Sequence, residues 1–332
     1  MSLQRVGIIG AGAWGTALAA AARRAGRDVV LWARNPDLAA AINKTHENAP
    51  YLPGVALDPE IRATGAMLEA GTADMVLLVV PAQHTRRISL QLAPHLGEGC
   101  AVICCSKGIE QRSGALMTEV LAETLPDNPV AVLSGPTFAI EVARGLPSAV
   151  ALACGDVKLG AELVTALGSR TFRPYLSGDP VGAEIGGAVK NVMAIACGIV
   201  MGRGLGDNAR AALITRGLAE VARFALAKGG RSETLMGLSG LGDLTLTCSA
   251  MQSRNFSLGV ALGQGRRLED VLAERHSVAE GVYTSAALAG VAQLIGVDMP
   301  IVAAVDAVLN RGAEIDGTIQ GLLARPFKAE WI

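Results

Sequence analysis

The start of the chain restricts its fold more than any other feature: Arg5-Val-Gly-Ile-Ile-Gly10-Ala-Gly12-Ala-Trp14-Gly15-Thr16, then the alanine-rich run from Ala17 to Ala25. An apolar strand, a glycine turn and an opening helix, in that order, are the context in which G-x-G-x-x-G holds a dinucleotide. Gly10 is expected to permit the tight turn, Gly12 to let the backbone approach a pyrophosphate, and Gly15 to let the helix pack close to the strand. The helix start then offers unpaired N–H groups to an anion.

The next strand reads Asp28-Val-Val-Leu-Trp-Ala-Arg34-Asn35, with no acidic residue at its end. A carboxylate there would bind a ribose 2′-hydroxyl and repel a 2′-phosphate, whereas Arg34 can pair with that phosphate. NADP(H) is therefore at least tolerated beside NAD(H), unless Arg34 is simply a solvated loop residue.

Composition removes several function classes. The net charge is -1, so there is no electrostatic footprint for nucleic acid or an anionic membrane. Mean hydropathy is +0.39 with 51% hydrophobic residues, a packed globular protein and not a disordered one. The six cysteines have no C-x-x-C spacing, and Cys104 and Cys105 read as small buried hydrophobes, which fits a reducing cytoplasm. No signal-peptide pattern precedes the first strand. The most apolar stretch, Ala183 to Gly202, carries Glu184, Lys190 and Asn191, which argues against a membrane span. His46, His84, His95 and His276 lack ligand spacing, and no metal is assigned.

Short β-rich runs at Val6 to Ile9, Val29 to Trp32, Met75 to Val80, Ala101 to Cys105, Val130 to Leu133 and Ala149 to Ala153 alternate with helical segments such as Thr85 to Leu96 and Ala115 to Leu125. That alternation predicts a Rossmann-type α/β domain with a parallel sheet covered on both faces. From Gly182 onward, apolar residues recur at helical spacing and β-branched runs become rare. The expected organisation is a dinucleotide-binding domain over 1–180 and an all-α substrate-binding domain over 181–332.

Ligands of open α/β sheets bind beyond the carboxyl ends of the strands. Three turns should line that crevice with the glycine loop: Val79-Val80-Pro81-Ala82, Ser106-Lys107-Gly108 and Ser134-Gly135-Pro136-Thr137-Phe138-Ala139. Lys107 is a cation for an anionic substrate, or else a surface lysine. Lys190 lies among small and apolar neighbours, so it must snorkel, pair or lose basicity by desolvation, which makes it an acid/base candidate or one half of a structural ion pair. Asp243 is expected in a glycine-flanked turn, and Ser253-Arg254-Asn255 opens a helix with the groups of a phosphate or carboxylate receptor, or of an ordinary helix cap.

Taken in order, Gly10-x-Gly12-x-Trp14-Gly15-Thr16, Ser106-Lys107-Gly108, Gly135-Pro-Thr-Phe-Ala139, Lys190-Asn191, Ser239-Gly-Leu-Gly-Asp243-Leu and Ser253-Arg254-Asn255 resemble bacterial NAD(P)-dependent glycerol-3-phosphate dehydrogenase over nearly the whole chain. The resemblance implies reversible hydride transfer between NAD(P)H and dihydroxyacetone phosphate, giving sn-glycerol 3-phosphate for phospholipid synthesis. It also implies a C-terminal domain like that of 6-phosphogluconate dehydrogenase, a homodimer and a cytoplasmic location. By the same match Lys190 is the acid/base residue. Ala13, Trp14, Arg34, Lys107, Ala139, Arg254, Val278 and Glu280 lie along the cofactor with the glycine loop. Lys107, Gly135, Thr137, Lys190, Asp243, Ser253, Arg254 and Asn255 surround the substrate. Thr137 stands where many members carry serine, which keeps the hydroxyl. A related β-hydroxyacid dehydrogenase would not need the Ser253-Arg254-Asn255 receptor, and a non-catalytic NADP(H)-binding regulator would need neither Lys190 nor Asp243.

Overall fold

The computed structural model describes residues 3–274, 279–327 and 329. Eight strands form one sheet: β1 (Arg5–Ile9), β2 (Asp28–Trp32), β3 (Arg62–Thr64), β4 (Met75–Leu78), β5 (Ala101–Cys104), β6 (Val130–Ser134), β7 (Ser148–Cys154) and β8 (Phe172–Ser177). Around it lie α1 (Ala13–Arg24), α2 (Pro36–Thr45), α3 (Met67–Gly71), α4 (Thr85–Leu92), α5 (Met117–Thr124), α6 (Ala139–Ala143) and α7 (Val157–Leu167). The sheet order is β3-β2-β1-β4-β5-β6-β7-β8. Strand order therefore reverses between β1 and β4, and the crevice above their carboxyl ends is the switch point where open α/β sheets take their ligands.

From β1 to β6 the strands are parallel and nearly all buried, as their unbroken apolar runs predict. The expected parallel pairing is interrupted once, at β7, which pairs antiparallel with β6, while β8 follows β7 in parallel. The link after β6 contains only the five-residue α6. At roughly 1.5 Å per residue that helix is too short to carry the chain back along a strand rising about 3.3 Å per residue. The chain turns and runs the other way. Strands β3 and β8 carry no strong sequence signal, since β3 has three residues and β8 is an exposed edge that tolerates Pro174.

The remaining chain is helical: α8 (Pro180–Gly202), α9 (Gly206–Ala227), α10 (Ser232–Leu235), α11 (Asp243–Thr247), α12 (Arg254–Gly263), α13 (Leu268–Ala273), α14 (Glu280–Leu294), α15 (Pro300–Asn310) and α16 (Ile315–Leu323). Helix α8 begins on a Pro and an Asp179 cap that accepts from the Gly182 N–H at 2.9 Å, and every residue from Gly182 to Val200 is buried. It is long and apolar enough to cross a membrane, but 89% of that window lies inside the fold, where it serves as the central column of the helical region. Against it α12 makes a backbone-to-backbone crossing. A Cβ on Gly198 would sit 2.1 Å from the Phe256 carbonyl oxygen, and one on Gly259 2.2 Å from that of Ile195.

Candidate active site

The glycine loop has the backbone its sequence predicts. Gly10 adopts φ +122°, and a Cβ there would lie 2.3 Å from the Val79 carbonyl oxygen; one on Gly15 would lie 1.8 Å from that of Gly10. Gly12 caps α1 without any side-chain hydrogen bond, and a Cβ on it would meet nothing within 4 Å. This open, uncapped helix start fits a dinucleotide pyrophosphate. Ala13 and Trp14 follow, half-buried, with the Trp14 indole Nε1 buried and unpartnered. Arg34 is exposed just past β2, while Asn35 beside it accepts from the Asp37 N–H and caps α2.

The chemical centre is assembled from three elements. Lys107 follows β5, Lys190 sits mid-way along α8, and Asp243 opens α11. The Lys190 Nζ donates to Asp243 Oδ1 at 2.5 Å and to Thr247 Oγ1 at 3.0 Å; the Lys107 Nζ donates to Asp243 Oδ2 at 2.7 Å and to the Gly135 carbonyl at 3.1 Å. Asp243 is fully buried, so each of its oxygens serves one ammonium. Two cations on one anion leave a net positive charge for an anionic substrate. Burial depresses the Lys190 pKa to about 8, with the nearby Lys107 adding to the fall and Asp243 opposing it.

Glycines allow this approach. A Cβ on Gly187 would lie 2.6 Å from Ser134 Oγ at the end of β6, and one on Gly186 would lie 2.4 Å from the Ser239 carbonyl oxygen. The segment Leu238–Gly242 is a single π-helical turn running into α11. Asp243 is thus a helix residue and not the turn residue that its flanking glycines suggested. Because it is helical, Thr247 falls one turn later on the same face.

A second chain of contacts joins α8 to the starts of α12 and α14. Asn255 donates to Asn191 Oδ1 at 3.0 Å and accepts from the Gly281 N–H at 3.1 Å, and Ser253 caps α12 through the Phe256 N–H at 3.2 Å. Arg254 is the exposed first residue of α12. Glu280, first in α14, accepts from the Ala82 N–H at 3.3 Å and faces Gly108. Burial lifts its carboxyl to about 7, opposed by that N–H and by the nearby Arg254 guanidinium. Thr137 donates to the Gly135 carbonyl at 3.3 Å, and Ala139 packs half-buried at the start of α6. Val278 lies outside the described residues.

The structure therefore joins Lys107, Gly135, Lys190 and Asp243 directly, and Asn255 through Asn191. Thr247 and Asn191 were not singled out as site residues from the sequence, although the i, i+4 spacing from Asp243 and the position beside Lys190 are signals that could have found them. Among the described residues no group of three His, Cys, Asp or Glu could hold a metal ion.

Comparison with known proteins identifies the family. The sequence profile for the NAD-dependent glycerol-3-phosphate dehydrogenase N-terminus matches residues 5–160, and the one for its C-terminus matches 179–320. The chain is 55% identical over 330 residues to glycerol-3-phosphate dehydrogenase (NAD(P)+) of Parvibaculum lavamentivorans, covering 99% of each protein. It is 58% identical over 329 residues to that of Rhodospirillum rubrum, covering 99% of this chain and 94% of the relative. The crystal structure of glycerol-3-phosphate dehydrogenase from Coxiella burnetii superposes with a TM-score of 0.93 at 36% identity, covering 98% of this chain and 100% of that one.

Proposed function

This chain belongs to the NAD-dependent glycerol-3-phosphate dehydrogenase family, and on that premise we propose that Lys190 is its acid/base residue, with Asp243 and Lys107 setting the charge around it. The protein is an NAD(P)-dependent oxidoreductase that interconverts dihydroxyacetone phosphate and sn-glycerol 3-phosphate. The observation that carries the residue assignment is the buried carboxylate of Asp243 held between two lysines, one from the sheet and one from the helical region.

When bound, the reduced nicotinamide supplies a hydride to C2 of the ketone. Negative charge then builds on the ketone oxygen, and a lysine ammonium stabilises it and delivers the proton that completes the alcohol. Asp243 and Thr247 take two of the three N–H groups of Lys190 and leave the third for substrate. Burial makes that ammonium a stronger acid than a free lysine, while Asp243 keeps it charged. In the oxidative direction the neutral amine takes the alcohol proton back.

The same reading gives residues 1–180 to the cofactor and 181–332 to the substrate. The glycine loop with Ala13, Trp14, Arg34, Ala139, Val278 and Glu280 follows the dinucleotide, and Arg34, with no carboxylate at the end of β2, accepts the 2′-phosphate of NADPH. Lys107 and Arg254 serve both molecules, and Gly135, Thr137, Ser253 and Asn255 complete the substrate pocket. A homodimer in the cytoplasm belongs to this reading too; the first rests on the family resemblance, and the second is supported by six buried free cysteines. The deciding assay follows NADPH absorbance with dihydroxyacetone phosphate and with unphosphorylated dihydroxyacetone. Turnover is expected with the phosphorylated ketone and little with the other, and equal turnover of both would remove the phosphate receptor at Ser253-Arg254-Asn255.

A further inference from the structure

Behind the glycine loop, Asn48 is completely buried, and its amide nitrogen donates to the Ala11 carbonyl at 2.9 Å and to Thr16 Oγ1 at 2.7 Å. A carbonyl oxygen only accepts, so the nitrogen of the amide must face Ala11. The Asn48 Oδ1 is left buried with no partner. An unsatisfied buried acceptor is destabilising, and an apolar residue there would remove the orphaned Oδ1 only by taking the donor away from the Ala11 carbonyl and Thr16 Oγ1. The retained amide is therefore explained by its two donor contacts, both to the cofactor loop.

We propose that Asn48 is the positioning residue that aims the glycine loop at the cofactor pyrophosphate, an inference that rests on the dinucleotide reading of that loop. The physical step is the planarity of the peptide. The bond between Ala11 and Gly12 is trans, so its C=O and N–H point in opposite directions. By drawing the Ala11 carbonyl toward the buried amide, Asn48 turns the Gly12 N–H away from it, at a residue whose surroundings are open: a Cβ on Gly12 would meet nothing within 4 Å. Its second bond fixes the same amide to Thr16 in the first turns of α1, so loop and helix start are held together.

The segment that carries Asn48 is itself pinned. His46 ends α2 in the left-handed region at φ 51°, which turns the chain back toward the loop. The Asn48 carbonyl accepts from the Leu52 N–H at 2.7 Å, Glu47 accepts from the Gly54 N–H at 2.7 Å, and Leu52, Val55 and Leu57 are buried in the core beside α1. Asn48 is thus placed by its own segment and acts on the loop, not the reverse.

The test measures dissociation constants of full-length wild-type protein, Asn48→Ala and the isosteric Asn48→Asp for NADPH, NADH and adenosine 2′-phosphate, which lacks the pyrophosphate, together with kcat at saturating substrates. Both variants should weaken NADPH and NADH by the same factor, about tenfold for one hydrogen bond to a charged group. Affinity for adenosine 2′-phosphate and kcat should stay within about twofold, since neither depends on the Gly12 N–H. Asn48→Asp keeps the packing if the alanine variant does not fold. Unchanged affinity for both dinucleotides, or an equal loss for adenosine 2′-phosphate, overturns the assignment of Asn48 alone. Failure of the wild-type protein to bind either dinucleotide overturns the cofactor reading as well.

Discussion

An ammonium buried on an apolar helix, as Lys190 is, stays charged only because a carboxylate repays part of the lost hydration, and this balance sets how the residue can work. The acid/base role proposed for it is concentrated in the transition state, so Lys190→Met should lower kcat by roughly 10²-fold or more with NADPH affinity nearly intact. Stopped-flow turnover and fluorescence titration of one preparation check both halves. With the ammonium as the proposed proton donor and burial bringing its pKa to about 8, ketone reduction should fall as pH rises past that value. At the other edge of the crevice, Arg34→Ala should weaken NADPH by about 1–3 kcal/mol and NADH far less. Equal losses for both would show that Arg34 acts on a part the two cofactors share. Lys190 and Arg34 stand out in the sequence as candidates because each breaks a local pattern, a charge in an apolar run and a base where an acid is common. Asn48 does not, because its partners lie more than thirty residues upstream and an asparagine before a turn is ordinary.

Among the elements, the crossing of α8 and α12 controls the site most directly, since one helix carries Lys190 and the other begins at Arg254. Gly198 and Gly202 face Gly259 and Gly263, and each added Cβ would meet backbone, which cannot move as a flexible side chain can. Gly259→Ala should therefore destabilise by about 1–3 kcal/mol or more and raise KM for dihydroxyacetone phosphate by shifting the start of α12. Gly290→Ala is the matched control, because that exposed position in the middle of α14 has nothing within 4 Å of the new Cβ. It should be neutral or more stable by about 0.5–1 kcal/mol. Equal denaturant midpoints for the two variants would show that the helices do not need their contact. The helical spacing of apolar residues from Gly182 onward predicts a helical region, but it cannot say that α8 and α12 touch through glycines. The π-helical turn before Asp243 escaped for a related reason: its glycines suit a turn equally well, and only packing on α8 selects the helix.

For the molecule as a whole, two buried carboxyls, Glu184 and Glu220, and the half-buried Glu280 give folding a pH dependence. Glu184 accepts from the Thr118 N–H and hydroxyl at the start of α5, Glu220 accepts from Ile301 and Val302 at the start of α15, and Glu280 faces Ala82. Burial raises each to about 7 from an ordinary 4.5. Between those values the folded protein holds protons that the unfolded chain releases. Stability is thus fully present below about pH 4.5 for these groups and is lost as pH rises through about 7. The cofactor-free protein should melt several degrees higher at pH 5 than at pH 8, and Glu184→Gln should flatten the curve. A melting temperature that rises over this range in the wild type would contradict the burial of these carboxylates.

The sequence by itself determined the class of the fold and marked the glycine turn, Lys190 and Asp243 as candidates, because those depend on local signals and family motifs: strand and helix periodicity, a glycine turn, a charge among apolar neighbours. Tertiary structure alone decided that one carboxylate serves two lysines from different parts of the chain, that β7 runs against β6, and that Asn48 lies under the glycine loop. Each of these is a meeting of segments tens of residues apart, and what selects it is close packing and the pairing of buried polar groups, quantities that exist only when the whole core is in place.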